Sequence, residues 1–356
     1  MKILAIESSC DETAAAVVVD GITIRSNVIA SSTAMHEKYG GIVPEVAARE
    51  QLKCIIPTID EALKQAGSDL ESIDALAVTV GPGLIGSLLV GVETAKTMAI
   101  STGKPLIPVN HVLAHMYANM VIPSDPRAGG ESRILSQSTL LHKTPRQARG
   151  DIFPAISLVV SGGHTELFLM SSPKELKWLG GTLDDAAGEA FDKTARLLGF
   201  GSRGGIAIQQ AAKKGNLDFR LPRPLMHDGT LNFSFSGLKT AILREWNKRN
   251  DPLLINAFAY EVQEAITDVL VTKTRTAADM YNAKSILLSG GVASNLRLRD
   301  KFQSTIVGHE STISFHVPPV NLCTDNAVYI GSYAFFRGKP VDWHDITAVP
   351  DLSVEV

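Results

Sequence analysis

Lys2-Ile3-Leu4-Ala5-Ile6-Glu7, Ser8-Ser9-Cys10-Asp11-Glu12-Thr13 and Ala14-Ala15-Ala16-Val17-Val18-Val19 follow one another at the start of the chain. An apolar run, a small polar run and a second apolar run read as strand, turn and strand. The same order recurs in Ile156-Ser157-Leu158-Val159-Val160, then Ser161-Gly162-Gly163-His164, then Thr165-Glu166-Leu167-Phe168-Leu169-Met170. A second unit is also doubled. The apolar run 75–80 enters Gly81-Pro82-Gly83 and a helical stretch, 84–100; the run 285–289 enters Gly290-Gly291 and a helical stretch, 293–302. Strand, glycine turn and helix in that order aim backbone N–H groups at an anion. Repetition of the whole set predicts an internal duplication.

At 356 residues the chain exceeds a typical single core, so two lobes are expected. The pattern divides it into 1–121, a first lobe; 122–151, a loop or linker insertion; and 152–356, a second lobe carrying the glycine turns, whose last helix is free to pack back on the first lobe. The insertion is rich in Ser, Gly, Pro and Arg and has no periodicity. Further helices are expected at 44–67, 185–198, 205–214, 237–249, 254–281 and 323–336. The fold class is α/β: an actin-like ATPase, ribonuclease-H-like duplicated two-lobe fold with a ligand cleft between lobes. A Rossmann reading is weaker, because no G-x-G-x-x-G follows the first strand.

Hydrophobic residues at 45% and charged residues at 20% exclude the membrane and disordered classes. No apolar run is long enough to span a bilayer, and no signal peptide is visible. Cys10, Cys54 and Cys323 are odd in number and far apart, which speaks against a disulfide framework and for a reducing, cytoplasmic compartment. A net charge of -3 gives no global attraction to nucleic acid, so any RNA contact is local. Basic clusters stand at Lys213-Lys214, 220–223, 239–249 and 297–301, each readable by itself as a solvated face.

His111-Val112-Leu113-Ala114-His115 follows the apolar run 106–109 and places two imidazoles on one helix face, four residues apart. The pair reads either as structural or as two ligands of one metal ion. Zinc proteases need Glu directly after the first His, and here that residue is Val112. Asp325, in Leu322-Cys323-Thr324-Asp325-Asn326-Ala327, reads as a helix N-cap or as a third ligand from the opposite lobe. Two imidazoles and a carboxylate suit Fe(II), Zn(II) or Mn(II). The glycine turns at Ser161-Gly162-Gly163, Gly204-Gly205 and Gly290-Gly291 permit close approach of a ligand to backbone. Asp184 and Asp185 read as caps of the helix they precede. Asp192, four residues before Arg196, reads as an ion-pair partner or as an acceptor for a hydroxyl-bearing group.

Taken together and in order, Glu7 to Thr13, Gly81-Pro82-Gly83, the His111 and His115 pair, Val160 to Thr165, Asp184 to Lys193, Asn232 to Lys239, Ser289 to Val292 with Asn295, and Cys323 to Asn326 closely resemble the TsaD family of tRNA adenosine threonylcarbamoyltransferases, formerly called O-sialoglycoprotein endopeptidases. The resemblance covers nearly the whole chain. It implies an actin-like ATPase-related fold, and a metal, usually iron with zinc as a competitor, on His111, His115 and Asp325. It places Val159, Val160, Ser161, Gly162, Gly163, Asp192, Gly205 and Asn295 on substrate-contacting positions, and Asp11 and Glu12 beside the phosphate-binding hairpin as catalytic candidates. It further implies that the threonylcarbamoyl group passes from threonylcarbamoyl-AMP to N6 of the adenosine 3′ to the anticodon in tRNAs reading A-starting codons. Implied partners are tRNA, a TsaB-like paralogue and a TsaE-like ATPase, with homodimers known among organellar relatives. The chain departs from the family pattern at Arg203, where Pro is common, at Gln209, often acidic, and in the length of 122–151. The competing readings are an actin-like small-molecule kinase or ATPase, which leaves the histidine pair unused, a metalloprotease, which lacks its base, and a scaffold that only senses nucleotide.

Overall fold

The structure, a computed structural model, describes all residues except 37–38, 40, 124–151, 202–203, 217–218, 250 and 308–312. The expected insertion at 122–151 therefore lies outside the described residues except for its first two, as does Arg203. Contacts divide the chain into two compact units, Met1–Asp151 with Asp325–Glu355, and Ile152–Thr324 with Val356.

The first unit is built on β1 (Lys2–Glu7), β2 (Glu12–Val19), β3 (Thr23–Ser31), β4 (Ala75–Gly81), β5 (Leu106–Asn110) and β6 (Ile122–Pro123), in the sheet order β5-β4-β1-β2-β3-β6. β1 and β2 pair antiparallel from Lys2 opposite Val19 to Glu7 opposite Ala14, while β4 runs parallel to β1 and β5 parallel to β4. Its helices are α1 (Thr33–His36), α2 (Pro44–Gln65), α3 (Ile85–Thr102) and α4 (His111–His115). Ile3, Leu4, Ala5 and Ile6 are wholly buried, as expected of a central strand covered on both faces.

The second unit contains β7 (Ala155–Val160), β8 (Thr165–Ser172), β9 (Glu175–Gly181), β10 (Ser285–Ser289) and β11 (Ser314–His316), in the order β11-β10-β7-β8-β9. Its helices are α5 (Ala187–Leu197), α6 (Gly204–Ala212), α7 (Ser236–Arg249), α8 (Ile255–Met280) and α9 (Leu296–Val307). β7, β8 and β9 pair antiparallel, and β10 and β11 add in parallel. Strand for strand this is the β5-β4-β1-β2-β3 arrangement of the first unit, so the duplication expected from the sequence is present in the topology. Ile156, Leu158, Leu167, Phe191, Phe258 and Leu288 belong to its core.

α10 (Val328–Phe336) completes the first unit. Gly331 lets it lie against the sheet, since a Cβ there would stand 2.9 Å from Val18 and 3.4 Å from Ala5. Ser332 donates to the Gly21 carbonyl at 2.7 Å. Asp325, expected from the opposite lobe, therefore shares a unit with His111 and His115.

Several local expectations change. The helix read over 323–336 begins only at Val328, because the Asn326 side chain captures the Val328 N–H at 3.0 Å and holds the preceding residues in a turn. Asp325 is thus not a cap. The stretch 293–302 breaks at Asn295, which is extended and accepts from Leu298 N at 3.0 Å, capping α9. Gly204-Gly205 opens α6 and is not a turn. Asp184 caps α7, not the helix that follows it, accepting from Phe235 N at 2.8 Å and Ser236 N at 3.2 Å. Asp185 pairs with Lys193 at 2.7 Å.

Candidate functional site

Asn110 ends β5 and starts α4: its Oδ1 accepts from the backbone N–H groups of Val112 at 3.0 Å and Leu113 at 3.1 Å. This caps a helix too short to be stable alone. Asn110 Nδ2 in turn donates to the Ser353 carbonyl at 2.9 Å. Asn110→Ala removes the cap, and should lower stability by about 1 kcal/mol in denaturant titrations. The same change should weaken metal uptake, because both imidazoles ride on the capped turn.

His111 and His115 project from that turn with ring centroids 4.7 Å apart and planes at 80°. Their Nε2 atoms face one oxygen, Asp325 Oδ1, at 3.6 and 3.5 Å. One ligand atom from each residue lies within 4.8 Å of the others. Ligand atoms of an ion bound at about 2.0 to 2.2 Å stand roughly 3 to 4 Å apart, so the three residues fit a single metal ion with little movement.

The surroundings fit one too. Glu7, at the end of β1, accepts from His111 Nδ1 at 3.0 Å, from Thr79 Oγ1 at 2.5 Å and from Ser9 N at 2.5 Å. A carboxylate behind a histidine fixes the ring and leaves Nε2 for the metal. Tyr329, four residues after Asp325 and in the first turn of α10, places its hydroxyl 3.4 Å from His115 Nε2. Burial alone would lower the His111 pKa, but the Glu7 and Asp325 carboxylates push it up to about 9. Burial would raise Asp325, yet His111 and His115 hold its carboxyl well below the usual range. His115 is lowered, chiefly by burial. Two carboxylates thus share one imidazolium, leaving one negative charge in excess. A divalent cation in place of the His111 proton cancels that excess.

Asp11 lies in the turn between β1 and β2 and Glu12 opens β2, the first tied to the start of α1 and the second to the end of β3. Asp11 Oδ2 accepts from Thr33 Oγ1 at 3.0 Å, and Glu12 Oε1 from Ser31 Oγ at 2.8 Å. The other Glu12 oxygen is buried without a hydrogen-bond partner among the described residues. Burial, with Asp11 and Asp325 adding to it, pushes Glu12 up to about 7. Gln51 clamps this turn from α2, donating to the Cys10 and Glu12 carbonyls at 3.0 Å each.

In the second unit, Ser161 N donates to the His164 carbonyl at 2.8 Å and Ser161 Oγ accepts from His164 N at 3.1 Å, closing the turn between β7 and β8. Gly162 and Gly163 are exposed and open around their Cα atoms. Val159 and Val160, at the end of β7, are wholly buried. Gly188 N donates to the Ser161 carbonyl at 3.1 Å, and a Cβ on Gly188 would meet that oxygen at 2.4 Å. Gly188→Ala should therefore displace the turn, lowering the melting temperature in calorimetry while metal content stays unchanged.

Asp192 receives the N–H groups of Gly204 and Gly205 at the start of α6, which joins two residues singled out separately in the sequence. The ion pair read between Asp192 and Arg196 takes another form, with Arg196 Nε reaching the Asp192 carbonyl at 3.4 Å. Asn295 donates to Gln263 Oε1 at 3.1 Å as well as capping α9. Gln209 accepts from Leu296 N at 2.6 Å, a contact that a carboxylate could equally make. Glu7, Thr79, Asn110 and Tyr329 were not expected at the site. Only Asn110 carries a readable signal, a cap residue between an apolar strand and a helix.

Solved structures resembling the chain share its fold at low identity. HypF from T. kodakarensis matches with a TM-score of 0.58 and 15% identity, over 94% of this chain and 47% of that one. Component A of the Acidaminococcus fermentans (R)-2-hydroxyglutaryl-CoA dehydratase matches with a TM-score of 0.51 and 12% identity, over 94% and 96%. Sequence relatives are nearer. A protein of Dehalococcoides mccartyi named tRNA N6-adenosine threonylcarbamoyltransferase is 46% identical over 99% of both chains. One of the same name from Bacillus subtilis is 42% identical over 95% of this chain and 92% of its own. The family profile described as "TsaD: tRNA N6-adenosine threonylcarbamoyltransferase" matches residues 23–129 and 136–332. With that match and these relatives along nearly its whole length, the chain belongs to the TsaD family.

Proposed function

We propose that this protein transfers the threonylcarbamoyl group from threonylcarbamoyl-AMP to N6 of the adenosine 3′ to the anticodon in tRNAs reading A-starting codons, releasing AMP. The observation that carries the reading is the convergence of His111, His115 and Asp325 on one point in a member of this family. The ion it would hold is one divalent metal per chain, iron, with zinc as a competitor. Bound there, it supplies a Lewis acid that polarises the carbamoyl carbonyl.

The remaining chemistry falls to the chain's own groups. The exocyclic amine attacks the carbamoyl carbon, the bond from that carbon to the phosphate oxygen breaks, and AMP leaves with the bonding pair. Backbone N–H groups of Gly162 and Gly163, at the tip of the turn that the Ser161 to His164 bonds close, hold its phosphate, needing no deprotonation to accept negative charge. The backbone of Val159 and Val160, with Asp192, Gly205 and Asn295, completes the substrate contacts. Glu12 receives the amine proton, and Asp11 orders the turn through Thr33. An anticodon-loop base is unpaired already, so presenting its edge costs less than extrusion from a duplex.

Glu12 gives a test with a defined sign. Its folded pKa of about 7 lies above the ordinary 4.5, so its contribution to stability is full below the ordinary value and is lost as pH rises through about 7. Glu12→Gln, neutral throughout, should melt above wild type at about pH 8, with the advantage shrinking toward about pH 5. The same variant should transfer slowly. Unchanged transfer would remove Glu12 from the proton path.

The apolar face of α2 and α3 supports a TsaB-like partner. Leu52 and Ile56 of α2 are 66% and 61% exposed, beside exposed Ile85 and Leu89 of α3. The helices approach closely where Ala48 meets Gly86. A TsaE-like ATPase is the other expected partner, and homodimerisation through the same face is the alternative. No helix among the described residues is long and apolar enough to cross a membrane. The three cysteines are unbridged, which supports a cytoplasmic setting. The reading as a whole is tested by nucleoside mass analysis of tRNA after incubation with the adenylate, with and without partners.

A further inference from the structure

Four basic clusters stand in the sequence, and their surroundings differ. In 220–223, Arg223 is consumed internally, donating to Glu261 and, at 2.9 Å, to Asp268. In 297–301, Arg297 meets Glu264 at 2.6 Å, and Lys301 meets Glu264 at 2.9 Å as well as Asp268. Arg299 donates to the carbonyls of Ala293 and Pro318 at 2.6 and 2.9 Å. The acids that neutralise these two clusters all belong to α8.

The cluster on α7 is neutralised only at its end, where Arg249 meets Glu245. The exposed half of this helix carries Lys239, Thr240, Leu243, Arg244, Asn247 and Lys248. None of its three cations has an acidic partner among the described residues. The single acid of α7, Glu245, is only half-exposed and lies 3.6 Å from Arg249. Arg249 also stacks over Phe219 at 4.5 Å, bringing exposed Arg220 beside the end of the helix. From Lys239 to Lys248 the helix rises about 13 Å. A stretch this basic on a chain of net charge -3 suits a polyanion with repeated charges.

Its position matters as well. Asp184 holds the first turn of α7, and within four residues Ala187 N donates to Thr165 Oγ1 at 2.9 Å and Gly188 N to the Ser161 carbonyl at 3.1 Å. One short segment thus ties the start of the basic face to the glycine turn.

We propose that Lys239, Arg244 and Lys248, extended by Arg220, bind the phosphodiester backbone of the tRNA acceptor and set its register on the second unit. The proposal rests on the reading that the acceptor is tRNA. Phosphate contacts position a nucleic acid without reading its bases and release counterions as they form.

The test is a salt series of tRNA binding by fluorescence anisotropy, comparing the full chain with its Lys239→Ala, Arg244→Ala, Lys248→Ala triple variant. All three side chains are exposed, so melting temperature and metal content should be unchanged. The variant should bind unmodified tRNA on the order of 10- to 100-fold more weakly at physiological salt, with a log K against log salt slope shallower by about 2. The same loss is expected for a tRNA lacking the target adenosine. A variant that keeps wild-type affinity and slope, while wild type binds and modifies tRNA, overturns this face and leaves the transferase reading intact. A wild-type chain that neither binds nor modifies tRNA overturns both. Binding of wild type to phosphatidylserine vesicles, without tRNA binding, overturns the proposal in favour of a lipid surface.

Discussion

The His111→Ala, His115→Ala double variant should purify without stoichiometric divalent metal and should transfer the threonylcarbamoyl group at least about 100-fold more slowly than wild type. The loss follows from geometry. Two of the three atoms facing the common point come from these rings, and Asp325 alone offers only one carboxylate oxygen. The change also leaves Glu7 and Asp325 without the imidazolium they share, so the double variant should be less stable than wild type even before metal is considered. His115→Gln separates these effects, since it removes one ligand and keeps the His111 imidazolium beside both carboxylates. Elemental analysis should show its metal lost and denaturant titration its stability largely kept. Full metal content in the double variant would place the ion elsewhere.

Glu7→Ala should weaken metal binding by about 10- to 100-fold, although Glu7 is not itself a ligand. Its carboxylate orients His111 through Nδ1 and gathers Thr79 and Ser9 N around one buried charge. Removal frees the ring to turn and leaves those two donors without an acceptor, a penalty of about 1 to 3 kcal/mol for each group left unsatisfied. Glu7→Gln keeps an oxygen for one of these contacts, and should recover stability more fully than metal affinity. A Glu7→Ala variant that binds metal as tightly as wild type would reduce Glu7 to a packing residue.

The contrast between Glu7 and the histidine pair shows what a sequence can disclose. The pair is local, two residues at helical spacing after an apolar strand, so the spacing alone marks it as a candidate, either structural or metal-binding. Glu7 ends an apolar strand, and its partner is 104 positions away, so nothing near it in sequence, not even the motif it opens, tells that it supports His111. The duplication was legible because both copies bury their first strands on two faces and therefore repeat the same apolar runs. Membership of the units was less so. Sequence order assigns Asp325 to the second repeat, whereas the chain has by then returned to the first unit, where α10 packs on Val18 and Ala5. Capping misled for a related reason. Asp184 caps a helix about fifty residues downstream, and a carboxylate beside a helix start says nothing about which helix it serves.

The most direct measurement is mass analysis of nucleosides from tRNA incubated with threonylcarbamoyl-AMP and the metal-loaded full-length protein, with its partners supplied, alongside the His111→Ala, His115→Ala variant. N6-threonylcarbamoyladenosine in the wild-type reaction, with AMP released in equal amount and neither product from the variant, is the expected result. Full transfer by a demonstrably metal-free double variant would contradict the account.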